Sequence, residues 1–167
     1  NNKNNLLNID LSASQIKISD SLILKNILFD AETQKNKSSI SLTVANDSLS
    51  TSKVRLATEQ TYTNGATRFH LLESLLQFKG EKWQVDPSNE ILFDSASISF
   101  SNVLFTNKSQ SLMLQGKVSH NKEDVLILNL FKFKIPLLND LLAMYDIKTG
   151  GAASGTLNFS SLYQTAI

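Results

Sequence analysis

The sequence has no cysteine. That removes disulfide scaffolds, thiolate metal centres and cysteine nucleophiles together, and it suits an oxidising periplasm and a cytosol equally. Histidine is almost as scarce. His70 and His120 are the only two, far apart in sequence, with no carboxylate or second ligand beside either. Exposed or hydrogen-bonded structural histidine is the simpler reading for both. Charge of one sign is also missing: the formal net charge is +1, and Lys and Arg are scattered among Asp and Glu. No basic face is available for nucleic acid. No apolar run approaches the roughly 20 residues of a membrane-spanning helix, and no signal peptide is present. The chain does not begin with Met but with Asn1-Asn2-Lys3-Asn4-Asn5, a polar run that reads as a linker or cut end. The expectation is therefore a single segment, residues 1–167, excised from a larger repetitive protein whose signal or anchor has been removed.

Catalytic patterns are missing as well. No serine sits in a nucleophile-elbow context despite the many serines. Asp94, Asp124 and Asp140 are dispersed, which favours turn and surface roles over an acid–base pair. Gly150-Gly151 and Gly155 lack the following Lys-Ser/Thr and the strand–loop–helix setting of a phosphate loop, so a turn is the better reading. The sequence points to no enzyme, no metal and no cofactor.

What the sequence does have is period-two alternation, repeated many times. Leu7, Ile9 and Leu11 alternate with Asn8 and Asp10. Ile40, Leu42 and Val44 alternate with Ser39, Ser41 and Thr43, and Val54 and Leu56 follow with Lys53 and Arg55. Ala96, Ile98 and Phe100 are set among Ser95, Ser97, Ser99 and Ser101. Leu112, Leu114, Gly116 and Val118 alternate with Ser111, Gln115, Lys117 and Ser119, with Met113 the exception, and Leu157 and Phe159 alternate with Thr156, Asn158 and Ser160. Each run places apolar side chains on one face and small polar ones on the other, the pattern of an antiparallel sheet wet on one side.

Turn chemistry separates the runs: Asn46-Asp47, Asn64-Gly65, Lys79-Gly80-Glu81, Asp86-Pro87-Ser88-Asn89, Asn107-Lys108-Ser109 and Asn121-Lys122-Glu123. Strand starts recur at roughly 10–14 residues, the spacing of a meander, and Asn64-Gly65 suits a tight hairpin. Arg68 to Phe78 fits a helix through Leu71, Leu72, Leu75 and Leu76 or a strand through Phe69, Leu71 and Leu75. The following hairpin signal, Lys79 to Lys82 before Trp83, favours the strand. Pro136 to Tyr145, with Leu137, Leu138, Leu141 and Leu142 at helical spacing behind a first-turn proline, predicts one short amphipathic helix. Lys148-Thr149-Gly150-Gly151 ends it. This helix lacks the basic face of a membrane-surface binder, so packing on the sheet is favoured.

A meander with one apolar face must cover it with a second sheet, close into a barrel, or curl into an open trough lined with apolar side chains. The inward set is Trp83, Ile98, Phe100, Leu112, Leu114, Val118, Leu126, Leu128, Leu157 and Phe159. Alternation describes a groove lining and a closed core identically; Trp83 reads as a groove-mouth residue or, the favoured reading, as a core anchor next to a hairpin.

The C-terminal half adds an ordered set of phrases. Trp83-Gln84-Val85-Asp86 is followed by Asn89-Glu90-Ile91, Ile98-Ser99-Phe100 and Asn102-Val103-Leu104-Phe105. Then come Ser109-Gln110-Ser111-Leu112 and Leu114-Gln115-Gly116-Lys117-Val118-Ser119. Leu126 to Phe131, Leu137 to Leu142 and Gly151 to Leu157 complete the order. Over residues 68–162 this order resembles the TamB family, the inner-membrane component of the translocation and assembly module, and its AsmA-like relatives; the first third is similar in rhythm only. The resemblance implies an all-β fold of long antiparallel strands curled into an open, taco-like trough with an apolar interior. It implies a periplasmic location within an inner-membrane-anchored protein of a Gram-negative envelope. The function it implies is carriage of phospholipid, or another amphipathic lipid, toward the outer membrane. The alternative function is a scaffold for outer-membrane protein assembly or secretion, through β-augmentation with a barrel partner similar to TamA. Open strand edges also allow pairing of two copies in an edge-strand dimer.

Overall fold

A computed structural model describes residues 6–17, 23–45, 53–78, 80–142 and 145–162. The expected turn at Asn46-Asp47, the polar start Asn1 to Asn5, Leu22, Lys79 and the helix positions Ala143 and Met144 lie outside the described residues. The chain is all-β, one antiparallel sheet. Its strands are β1 (Leu6–Lys17), β2 (Ile23–Gln34), β3 (Lys37–Ala45), β4 (Lys53–Thr63), β5 (Ala66–Leu71) and β6 (Leu75–Phe78). They continue as β7 (Glu81–Val85), β8 (Glu90–Phe93), β9 (Ser97–Asn107), β10 (Gln110–Ser119), β11 (Val125–Lys134) and β12 (Ala152–Ser160).

Turn residues set the hairpins. Asn64 (φ 53°) and Gly65 (φ 79°) form the two-residue connection of β4 to β5, both in the left-handed region that such a turn requires. The stretch from Arg68 to Phe78 is strand, as the following hairpin signal argued. It is interrupted, however. β5 pairs β4 at Thr58↔Leu71, β6 pairs β4 at Arg55↔Leu75, and the register between them shifts by one residue. β7 and β8 stand in the same relation to β9, through Val85↔Phe105 and Glu90↔Ser101. The twelve strand segments thus make ten rungs, two of them broken at the middle. Asp86-Pro87-Ser88-Asn89, which the sequence places at a break between strands, is a bulge inside one rung. At about 4.8 Å per strand spacing, ten rungs run roughly 45 Å.

The two breaks face each other and are joined by Asn89, which is 1% exposed. Its Nδ2 donates to the Leu71 carbonyl (2.7 Å) and the Asp86 carbonyl (2.6 Å), and its Oδ1 accepts from the Leu71 amide (2.7 Å). His70 Nδ1 lies 2.6 Å from the Asn89 carbonyl oxygen. On the other side Ser74 Oγ accepts from the Ala57 amide (3.1 Å) and donates to the Leu72 carbonyl (2.9 Å). The line of irregularities continues into β9, where Asn102 (φ 48°) forms a bulge and its Nδ2 donates to Asp86 Oδ1 (3.1 Å) and to Ser88 Oγ. It ends at Gly116 (φ 106°) on β10. Bulges bend a strand and increase its twist, so a row of them across neighbouring rungs creases the sheet.

The crease is visible as curl. Trp83 on β7 and Phe133 on β11 are three strand spacings apart, roughly 14 Å on a flat sheet. Their ring centroids are 5.7 Å apart. Lys134 on β11 likewise reaches Glu81 on β7 in an ion pair. Among the described residues the sheet nevertheless does not close: β1 and β12 end the strand order and each has one neighbour. The accessible surface is 11326 Å², against roughly 8,200 Å² for a closed globular protein of 18.5 kDa. Among the described residues, the buried apolar side chains cluster at Leu76, Trp83 and Phe133. A closed sandwich or barrel is incompatible with so small a core.

Of the helix expected over Pro136–Tyr145, the described residues through Leu142 are helical in two short pieces. A 3-10 turn, Ile135–Leu138, carries proline as its second residue and is followed by an α-helical turn, α1 (Asn139–Leu142). Asn139 fixes its far side: Oδ1 accepts from the Thr149 amide (2.9 Å) and hydroxyl (2.7 Å), and Nδ2 donates to the Thr149 carbonyl (3.2 Å). This excursion between β11 and β12 folds back so that Leu137 packs against the Trp83 cluster.

Candidate lipid groove

Cross-strand partners in a sheet point to the same face, and so do residues two apart on one strand. Following the register therefore decides which side chains share a surface. One row runs Leu157–Leu128–Leu114–Val103 across β12, β11, β10 and β9. A second runs Phe159–Leu126–Gly116–Phe100–Ile91–Phe69 and on to Gln60 of β4. Val118 pairs with Ile98, and Ile98 with Phe93. Leu130, Leu112, Phe105 and Val85 form a row. Trp83, Leu76, Val54, Val44, Ile27 and Ala13 form another that reaches the N-terminal edge. All ten side chains singled out from the sequence lie on this one face.

Their burial is uneven. Trp83 is 5% exposed, packed on Leu76 and Phe133, so it is a core anchor that also lines the groove. Ile98, Phe100, Leu112, Leu114, Val118, Leu126 and Leu128 are half-buried. Leu157 and Phe159 on the edge strand are exposed, at 49% and 39%. At the opposite edge Leu7, Ile9 and Leu11 are exposed too. The apolar face is continuous from edge to edge, deepest near Trp83, and open over its outer rungs.

Around Trp83 the groove deepens into a cleft of about 400 Å³, walled by Leu56, Leu76, Phe105, Leu112, Phe133, Leu137 and Leu138. The volume is in the range of small-molecule sites, about 300–1,000 Å³. Of these walls only Trp83 and Leu112 were singled out from the sequence. Phe105 and Phe133 were missed because bulges at Asn102 and Lys132 (both φ 48°) re-phase the alternation. Phe100 and Val103, and likewise Leu130 and Phe133, stand three apart yet face the same way. An Asn or Lys breaking an otherwise regular apolar spacing is the signal that could have found them. Leu76 lay in the stretch where strand and helix competed.

The far rim of the cleft is polar. The Lys134 ammonium hydrogen-bonds Glu81 and lowers its carboxyl pKa, partly opposed by desolvation and helped by a hydrogen bond from Asn107. Asn107 Nδ2 also donates to the Lys82 carbonyl (2.6 Å), and Gln110 Oε1 accepts from the Lys134 amide (3.0 Å). The outer, wet face carries Ser, Thr and Asn with surface ion pairs such as Arg68–Glu90 (2.6 Å) and Lys37–Glu59 (2.9 Å). Asp94 accepts from the Ala96 and Ser97 amides and the Ser97 hydroxyl, an Asx-type turn before β9. Asp124 accepts from the Ser119 hydroxyl (2.6 Å) at the β10–β11 connection. Among the described residues no three His, Asp or Glu side chains converge as metal ligands, and no helix is long and apolar enough to cross a membrane.

Comparisons with protein-family models, with curated proteins and with solved structures gave no match.

Proposed function

We propose that the chain is one segment of a lipid conduit, binding acyl chains of phospholipid or another amphipathic lipid along its apolar trough. The observation that carries this reading is a single apolar face, continuous across ten rungs and uncovered at both ends. A contiguous exposed apolar surface on this scale calls for lipid or a partner. An acyl chain of about sixteen carbons is worth roughly 13 kcal/mol gross when fully desolvated, at about 0.8 kcal/mol per methylene, and ordering costs reduce this considerably. A half-open groove desolvates only part of the chain, so the lipid is held yet can slide. No bond is made or broken.

In this proposal the segment belongs to a longer protein of the TamB and AsmA-like kind, anchored in the inner membrane and crossing the periplasm. There it would serve transport of lipid to the outer membrane. Roughly 45 Å of trough cannot bridge an envelope alone, which fits one stretch of a longer repeat. A second reading is favoured by the edges. β1 and β12 carry no proline within the strand, and β12 carries no charge, so both are open to β-augmentation. The partner would be an outer-membrane barrel protein similar to TamA, or a second copy.

Native mass spectrometry with lipid extraction tests the first reading on wild type, Leu114→Asp and Leu157→Asp/Phe159→Asp. Phospholipid retained by wild type and lost from variants with unchanged circular dichroism supports it. Absence of lipid from wild type, with a Leu114→Asp chain that unfolds, refutes it and leaves the scaffold. The scaffold requires that Thr156→Pro in β12 abolish barrel-partner binding.

A further inference from the structure

β7 and β11 are not neighbours in the sheet, since β9 and β10 lie between them. They nevertheless touch at the cleft, through contacts of two kinds. Phe133 packs on Trp83, and the Lys134 ammonium pairs with the Glu81 carboxylate. Directly after Lys134 the chain turns into Ile135–Leu138, and Leu137 and Leu138 form part of the cleft wall. That stretch is lightly held. None of Ile135 to Asn139 is buried. Its hydrogen bonds run from the Lys134 amide to Gln110 on β10, from the Ile135 amide to the Gly151 carbonyl (3.2 Å), and between Asn139 and Thr149. These bonds tie the stretch to β10 and to its own return limb. What ties it to β7 is the packing of Phe133 and Leu137 on Trp83, together with the ion pair beside them. Segments with few buried contacts are the ones that open most readily.

We infer that Lys134 and Glu81 form a latch, which holds the β11 wall and the Leu137–Leu138 lid against β7 and so sets how fast an acyl chain enters and leaves the Trp83 cleft. The inference rests on the lipid reading of the same groove and adds its control. Neither charged residue lines the cleft, so the pair restrains the walls without touching the chain between them. The Lys134 side chain is 53% exposed. Solvent ions reach such a pair, which makes it weak, reversible and sensitive to salt. Salt does not weaken the packing of carbon on carbon. Ionic strength therefore separates the latch from the lining.

The test follows release of methyl cis-parinarate, an uncharged fluorescent acyl ester that takes up energy from Trp83, the single tryptophan. Loaded protein is mixed with excess phosphatidylcholine vesicles in a stopped-flow instrument. Release from wild type is expected to quicken by about two- to fivefold between roughly 20 mM and 500 mM sodium chloride, the worth of an exposed ion pair. Lys134→Met and Glu81→Gln are expected to release quickly at low salt and to lose the salt dependence. The exchanged pair, Glu81→Lys with Lys134→Glu, is expected to restore slow release. Wild-type release that salt leaves unchanged or slows overturns the latch and leaves the lipid reading standing. So does a Lys134→Met chain that keeps the salt dependence, or an exchanged pair no slower than the single variants. No energy transfer from wild-type Trp83 overturns the lipid reading and the latch together. The wild-type salt series needs no variant, so a poorly folding variant does not spare the inference.

Discussion

Replacing Asn89 with alanine should cost the protein about 3 kcal/mol. Three side-chain hydrogen bonds, two to carbonyl oxygens and one from an amide, join the broken rungs through this one residue. Each is worth about 1 kcal/mol net, and each leaves a protein group unpaired when the side chain is removed. The Leu71 and Asp86 positions are half-buried, so water can reach the vacated groups and the lower end of the penalty range applies. For a chain of this length a loss of about 3 kcal/mol lowers Tm by roughly 6–12 °C. Urea unfolding followed by the emission of Trp83, the single tryptophan, measures it directly, with the m-value checking that the unfolded state is unchanged. Asn89→Asp sharpens the argument. It keeps an acceptor for the Leu71 amide but sets a carboxylate against two carbonyl oxygens, so near neutral pH it should be no more stable than Asn89→Ala. A loss under about 1 kcal/mol for Asn89→Ala would refute the idea that Asn89 holds the crease together.

Two further predictions concern the backbone and pH. Gly116→Ala should destabilise by more than about 1 kcal/mol, because φ is 106° and the added Cβ would run into the Val125 carbonyl oxygen. Gly155→Ala, whose Cβ would meet nothing, should stay within about 0.5 kcal/mol of wild type in the same thermal melts. Acid should destabilise the fold below about pH 4. Hydrogen bonds from the Ser88 hydroxyl and amide lower the Asp86 pKa, and those from the Ala96 amide and Ser97 hydroxyl lower that of Asp94. With folded values below unfolded ones, the unfolded chain takes up protons first as pH falls. The stabilisation is then complete above the ordinary carboxylate pKa of about 4 and lost as pH drops through the lowered values. Stability measured from pH 7 to 2 should be flat and then fall, and less steeply in Asp94→Asn; an unchanged acid limb in that variant would contradict the assignment.

Sequence alone determined the local geometry. Alternation such as Ile98-Ser99-Phe100 dictates strand and face at once, because the side-chain period of a strand is fixed at two. Asn64-Gly65 dictates a tight hairpin because few residues tolerate positive φ in succession. These signals placed all ten groove residues on one face. Three things had to come from the tertiary structure. The first was phase: at Asn102 and Lys132 one extra residue shifts the alternation, and only the partner strand reveals that Val103, Phe105 and Phe133 rejoin the same face. The second was continuity: Asp86 to Asn89 has the chemistry of a turn, and pairing on both sides shows it to be a bulge within a rung. The third was closure. An apolar face has the same pattern whether it is sealed or open. What separates the two is curl, set by a row of bulges whose bonds join residues far apart in sequence, such as Asn89 to Leu71 and Asn102 to Asp86. Curl brings Phe133 onto Trp83 and leaves Leu157 and Leu11 exposed, because it bends the middle of the sheet around one end while both edge strands stay unpaired.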